Sequence, residues 1–435
     1  MMQLFKRALA LMLVFALMLS FASCSILGIG TDDQNQSDSG EPDNGAGNDQ
    51  DTNDTEGDQS ADPEDKHPDS AYMKDPLPAV PEIIDCAETN GKIKNLILII
   101  GDGMGDAQLD LGELIYGKDF AFRDEFGKFY SNTNSIHDTT GEPTNTTDSA
   151  AGATALATGY LTKNSYVGIT SDLKKLTTVL DIAKDGGKST GILTTDVLIG
   201  ATPAGFSAHT LNRNYEHDIV RSQIRSGIDL LIGQYSKRYV DHKDEVTEVY
   251  NYFDSYDRDA ILAKKGESSL CNIEIETSED GAAKLSELAL MAIEYLSANE
   301  EGYVLVIEQA HIDKRCHSND ALGAAKAANS LNDTVEAIMQ LIGDRDDTAL
   351  IITADHETGG LSVSADPEEY DKKAETVNGG KISYNFEKTS HTTTLVPVYT
   401  YGFIAHPEKC TTFNSEEKVK NTDIFHFMVD IIENS

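Results

Sequence analysis

The chain is short of positive charge: 35 Lys and Arg stand against 73 Asp and Glu among 435 residues, a formal net charge of −38. Bulk electrostatics therefore exclude nucleic acid and anionic membrane surfaces as partners, and an anionic ligand must be drawn in by a local feature such as metal ions. Cysteine is scarce as well. Cys24, Cys86, Cys271, Cys316 and Cys410 show no CxxC or zinc-finger spacing and do not make the disulfide framework of a small fold. Outside the cytoplasm one or two pairs can form among them, and sequence leaves the pairing open. No internal repeat is present. The apolar run from Ala8 to Leu19 is shorter than the roughly 20 residues a membrane-spanning helix needs.

That run follows Lys6 and Arg7 and leads through small residues to Cys24, so residues 1–23 read as a secretory signal peptide. The stretch Leu19-Ser-Phe-Ala-Ser-Cys24 resembles a bacterial lipobox, with Phe21 where leucine is usual. The expectation is an extracytoplasmic protein held to a bacterial membrane by a lipid on Cys24, with simple secretion as the alternative. Residues 31–70 hold fourteen acidic residues and one lysine. A segment so charged and so poor in apolar surface cannot offset its ordering entropy, so 24–80 is expected to be a lipidated N-terminus followed by a disordered, self-repelling tether.

From residue 86 to 435 aliphatic strands alternate with amphipathic helices. Candidate strands are 96–100, 189–194, 303–307, 349–353 and 398–404; candidate helices are 176–184, 282–297 and 321–342. This pattern predicts an α/β fold with a doubly wound, mainly parallel central sheet flanked by helices on both faces. Residues 237–274 and 364–388 are polar and read as small insertions at its rim.

In such sheets ligands sit beyond the carboxyl ends of the strands, and three predicted strands run into carboxylates there. The first leads to Asp102 between two glycines, the third to Glu308, and the fourth to Asp355 and His356. Each alone has a bland reading, Asp102-Gly103 as a turn and each histidine as a hydrogen-bonded structural residue. Together with Asp313 and His317, spaced i and i+4 for one helix face, and His391, they offer oxygen and imidazole ligands for two or three divalent ions. Cys316 lies between Asp313 and His317 in sequence, but helical phase turns it away from their face. Thr146-Thr-Asp-Ser149 opens a small-residue stretch ending at Gly159. A helix starting near Ser149 would present free N–H groups to an anion, although Asp148 or Ser149 can also be no more than its cap. Arg213 can clamp an anion or make a surface ion pair.

Taken in order, Gly101-Asp-Gly-Met-Gly105, Thr147-Asp-Ser-Ala-Ala151, Ala201-Thr-Pro203 with Arg213, Glu308 with Ile312-Asp-Lys314 and His317, Thr353-Ala-Asp-His356 and His391-Thr392 resemble the motifs of alkaline phosphatases. The resemblance implies hydrolysis of phosphate monoesters through a phosphoserine at Ser149, with Arg213 binding substrate and Lys314 near the phosphate. It implies two Zn2+, one held by Asp313, His317 and His391 and one by Asp102, Asp355 and His356, and one Mg2+ on Asp102, Thr202 and Glu308. It also implies small phosphate esters as the partners and a homodimer. Gly200 departs from the family, many of whose members carry an aspartate or histidine there that supports the magnesium site. Rival readings are a phosphodiesterase of the same superfold and a non-catalytic metal- or phosphate-binding lipoprotein.

Overall fold

Asn95–Gly101 (β1) has every residue buried, as a strand aliphatic on both sides requires. The computed structural model describes residues 80–275, 282–410 and 418–434. The expected signal peptide, Cys24 and all but the last residue of the tether lie outside the described residues. β1 sits inside a ten-stranded sheet with Gly127–Ser131 (β2), Ser189–Val197 (β3), Leu230–Gln234 (β4), Asn251–Phe253 (β5), Ser269–Ile273 (β6), Tyr303–Gln309 (β7), Thr348–Thr353 (β8), Val396–Tyr401 (β9) and Lys418–Val419 (β10). The spatial order is β10-β2-β9-β8-β1-β7-β3-β4-β6-β5. Only β9 runs against its neighbours, so the sheet is mainly parallel.

Successive side chains of a strand point to opposite faces, and two apolar cores form accordingly. Ile97, Ile99, Leu305, Ile307, Leu350 and Ile352 join one core. It is covered by Asp106–Tyr116 (α1) and, further along the chain, by Leu285–Leu296 and Ala321–Ile342. Leu96, Leu98, Ile100, Val304, Val306 and Ile351 join the other, under Ser149–Thr158 (α2), Val179–Asp185 (α3) and the C-terminal helix Asp423–Glu433. Truncating one such side chain to alanine should cost about 2–5 kcal/mol.

Helix 321–342 falls where its pattern predicts. α3 starts later than the expected 176, because Thr178 and Asp181 form a capping box that fixes the first turn. The helix expected over 282–297 begins at Leu285, since Ala283 is drawn into a bridge with Ile275. The strand expected over 398–404 occupies Val396–Tyr401 instead. Gly402, at φ +85°, turns the chain where an added Cβ would lie 2.3 Å from the Thr348 carbonyl. Residues 237–274 are not a rim insertion: they supply β5 and β6, whose Leu270 and Cys271 are fully buried. The polar residues come from the short helices before and between those strands. Residues 364–388 do stand outside the main sheet, in a three-stranded antiparallel sheet of Leu361–Ser364, Lys372–Glu375 and Lys381–Phe386.

Candidate active site

The parallel register sets Ile100 of β1 beside Thr353 of β8 and Glu308 of β7, and Glu308 beside Thr194 of β3. The carboxylates that follow these positions therefore meet along one edge of the sheet. Asp102 N–H donates to the Gln309 carbonyl at 3.1 Å and Gly103 N–H to Asp355 Oδ1 at 3.3 Å, which ties the three strand ends together. Gly103 is in the left-handed region at φ +73°, and a Cβ there would lie 2.7 Å from Asp313 Cα, so only glycine lets the Asp313 backbone pack so closely. Asp313 and His317 stand on one face of the short helix His311–His317, with His317 Nε2 at 3.2 Å from Asp313 Oδ1. The intervening Cys316 is fully buried in the core, away from that face.

Two three-residue groups result, each with ligand atoms within 4.8 Å of one another: Asp313, His317 and His391, and Asp102, Asp355 and His356. His317 Nδ1 and His391 Nδ1 donate to the carbonyls of Thr389 (2.6 Å) and Thr147 (2.8 Å). A carbonyl can only accept, so each Nδ1 carries the proton and each Nε2 keeps its lone pair for a cation. The two Nε2 atoms face each other at 3.1 Å. In the other group His356 Nε2 lies 3.5 Å from Asp102 Oδ1 and 3.4 Å from Asp355 Oδ2. Asp102 Oδ1, Asp355 Oδ2 and Thr202 Oγ1 are buried without a hydrogen-bond partner. Thr202 Oγ1 faces Glu308 and eases its ionisation, yet closes no well-formed bond to it. Unpartnered buried oxygens beside two converging imidazoles are the donor set that divalent cations satisfy, and zinc or magnesium fits here.

Electrostatics lead to the same conclusion. Burial, then the charges of Asp355, Asp313 and Glu308, hold Asp102 well above the usual carboxylate range. Burial, then Asp313, pushes Asp355 up to about 7; burial, then Asp196, pushes Glu308 up to about 8. Burial opposes ionisation of Asp313 too, but the imidazoles of His317 and then His391 beside its carboxylate outweigh it and keep it well below the usual range. Burial and the neighbouring His391 keep His356 neutral. Such crowded carboxylates ionise together only when cations neutralise them.

Asp148 is the cap of α2: its Oδ1 accepts from Ala151 N–H at 2.9 Å. Ser149 is thereby left as the first helical residue, 4% exposed, with Oγ at 3.1 Å from His356 Nε2. Asp148 Oδ2 accepts from Ser165 N–H at 2.8 Å and lies 3.7 Å from Arg213 Nη1, while Arg213 N–H donates to the Ser165 carbonyl at 2.8 Å. The arginine predicted from sequence is thus steered by the residue next to the serine. Lys314 Nζ pairs with Asp196 at 2.7 Å. Sequence reasoning missed Asp196, the steering role of Asp148, and Thr358, whose hydroxyl donates to Asp313. Only the Thr-Gly-Gly run after Glu357 hinted at Thr358.

The sequence matches the profile of the alkaline phosphatase family over residues 93–243 and 234–427. Alkaline phosphatase 4 of Bacillus subtilis is 30% identical over 306 residues, covering 65% of this chain and 65% of that protein. Streptomycin-6-phosphate phosphatase of Streptomyces griseus is 27% identical over 386 residues, covering 72% of this chain and 86% of its own length. The alkaline phosphatase of the Antarctic bacterium TAB5 superposes with a TM-score of 0.67 at 25% identity, over 80% of this chain and 99% of that one. A variant of that enzyme has been solved with magnesium in its M3 site. The chain spans just under two thirds of the length of the Bacillus subtilis relatives it matches. With the family's motifs set in order along one sheet edge, and its profile covering most of the folded chain, this protein belongs to the alkaline phosphatase family.

Proposed function

We propose that the chain is a metal-dependent phosphomonoesterase that turns over through a phosphoserine at Ser149. The observation that carries this reading is a serine at a helix start, its Oγ against His356 of one ligand group, with a steered arginine alongside. Asp313, His317 and His391 would hold one zinc, Asp102, Asp355 and His356 a second, and Asp102, Thr202 and Glu308 a magnesium; the magnesium in the TAB5 variant supports a third site. Bound divalent ions supply Lewis acidity, lowering the pKa of a hydroxyl or water and screening phosphoryl charge.

Ser149 Oγ gives its proton to water and attacks phosphorus in line with the ester oxygen; the P–O bond to that oxygen breaks and the alcohol leaves with a proton taken back from water, so no net proton is consumed. Water then attacks the phosphoserine, freeing inorganic phosphate and returning the serine hydroxyl. The N–H groups of Ser149 and Ala150, ahead of the one capped by Asp148, and the fork of Arg213 orient the non-bridging oxygens. Two such oxygens on one fork favour a dianionic monoester over a diester.

The test is turnover of an aryl phosphate monoester and a diester at equal concentration, before and after chelation. Acid quenching with labelled substrate should trap the phosphoserine in the native chain and not in Ser149→Ala. Faster diester turnover would make it a phosphodiesterase, and no hydrolysis with zinc and magnesium supplied would make it a binding lipoprotein. An extracytoplasmic location with a lipid on Cys24 belongs to the same proposal, supported by the lipobox-like sequence and checked by partition of the native protein into detergent. Homodimer formation, suggested by family resemblance, is checked by light scattering.

A further inference from the structure

At position 200 a side chain is missing from the wall of the proposed magnesium site, and the volume is filled from another position. A Cβ added at Gly200 would lie 2.6 Å from Asp196 Oδ2 and 3.0 Å from the Val197 carbonyl, so the Asp196 carboxylate occupies the space a residue-200 side chain would take. Asp196 is placed there by the end of β3, where its N–H donates to Thr194 Oγ1 at 2.8 Å while Thr194 donates in turn to Glu308. Its other oxygen, Oδ1, is paired with Lys314 at 2.7 Å. The side chain is only 21% exposed. The unpartnered Thr202 hydroxyl lies two residues beyond Gly200, facing Glu308. Thr194 thus stands between the Asp196 backbone and the Glu308 carboxylate, which brings both residues to one corner of the sheet edge. Two neighbouring carboxylates and an orphan hydroxyl make an all-oxygen environment of the kind that favours magnesium over zinc.

We infer that Asp196 replaces the absent residue-200 side chain: with Glu308 and Thr202 it builds the magnesium-type cation site, and through Oδ1 it holds Lys314 at the phosphate side of that site. This rests on the proposed function. Asp196 is a positioning residue, reaching the reacting atoms only through the cation and Lys314.

The test is elemental analysis of full-length protein dialysed against zinc and magnesium, with calorimetric titration of magnesium into the zinc-loaded chain. The wild type should bind one magnesium per chain beyond its zinc. Asp196→Asn, which keeps the shape and removes the charge, should weaken magnesium at least about tenfold, with zinc content unchanged. Asp196→Ala with Gly200→Asp, in which the new carboxylate enters the vacated space, should restore it. Lys314→Ala should keep magnesium affinity and weaken inhibition by inorganic phosphate. Magnesium affinity within twofold of wild type in Asp196→Asn overturns the inference, as does a double variant no better than Asp196→Ala. A wild type that hydrolyses monoesters with zinc alone and binds no magnesium overturns it while sparing the proposed function. A wild type that binds magnesium here but hydrolyses nothing sinks the function and leaves Asp196 in its cation site.

Discussion

Asp148 does two jobs with two oxygens, and removing it separates them. Oδ1 caps α2 through Ala151, and Oδ2 holds Ser165 N–H and stands 3.7 Å from Arg213 Nη1. Asp148→Ala loses a helix cap, about 1 kcal/mol, and a second backbone hydrogen bond of similar worth, so the fold should lose about 2 kcal/mol in a urea melt. That loss does not involve the guanidinium and should be the same when Arg213 is already alanine. Catalysis should behave differently. On the proposed function Asp148 does not reach substrate, so its effect on kcat/KM is bounded by that of Arg213, whose charge-assisted bonds to phosphate would be worth about 1.5–3 kcal/mol each. Asp148→Ala should cost roughly 10- to 100-fold in kcat/KM, never more than Arg213→Ala, and less than about threefold in the Arg213→Ala background. Four proteins, steady-state kinetics on an aryl phosphate and urea melts complete the cycle. If the two substitutions multiply in kcat/KM, Asp148 does not work through Arg213 and the steering argument fails.

Gly103→Ala should lose roughly 1–2 kcal/mol to its left-handed backbone and more to the collision with Asp313, and zinc content should fall with it; a variant with full zinc and an unchanged melt contradicts the packing argument. In chelated protein burial and neighbouring carboxylates push Asp355 up to about 7 and Glu308 up to about 8, so the folded state keeps protons that the unfolded chain has already released, and stability is lost as pH rises from the usual carboxylate range to about 8. The metal-free fold should therefore lose melting temperature steadily between about pH 5 and pH 8, while metal-loaded protein should hold its own because ligands bind cations only when deprotonated; a flat metal-free profile refutes this. The Cys86 thiol lies against that of Cys410, and this contact, then burial and nearby carboxylates, raises its pKa far above the thiol range; Cys410 is buried as well, so both should resist alkylation in the native state. Slow exchange with oxidised glutathione should join Cys86 to Cys410, with loss of two hydrogens by mass, and should leave Cys271 and Cys316 as thiols; a different pairing contradicts the contact.

The aliphatic runs were legible because a strand buried on both faces leaves no polar position, and Ile97 to Ile100 and Val304 to Ile307 show that without ambiguity. The ligand groups were legible for a related reason: carboxylates and histidines directly after such runs have little structural use elsewhere. β5 and β6 were hidden because they are short and embedded in charged helical turns, and only the sheet edge makes them strands. Asp196 was hidden because nothing in a sequence tells which neighbour fills the space beside a glycine. Asp148 was visible as a cap but not as the keeper of Arg213, since that depends on how the loop through Ser165 folds back.

The ligands also lie far apart along the chain, with Asp102 near the start of the folded part and His391 before β9, the strand that runs against the rest. A ribosome releases Asp102 long before His391. Neither ligand group is complete without segments made late, since one needs Asp355 and His356 and the other His391. A half-made chain therefore carries the serine, the helix start and the arginine without a complete ligand group beside them. On the proposed function, hydrolytic power would arrive only with the last strands, so the chemistry would be timed by synthesis and docking and stay silent until the sheet is closed.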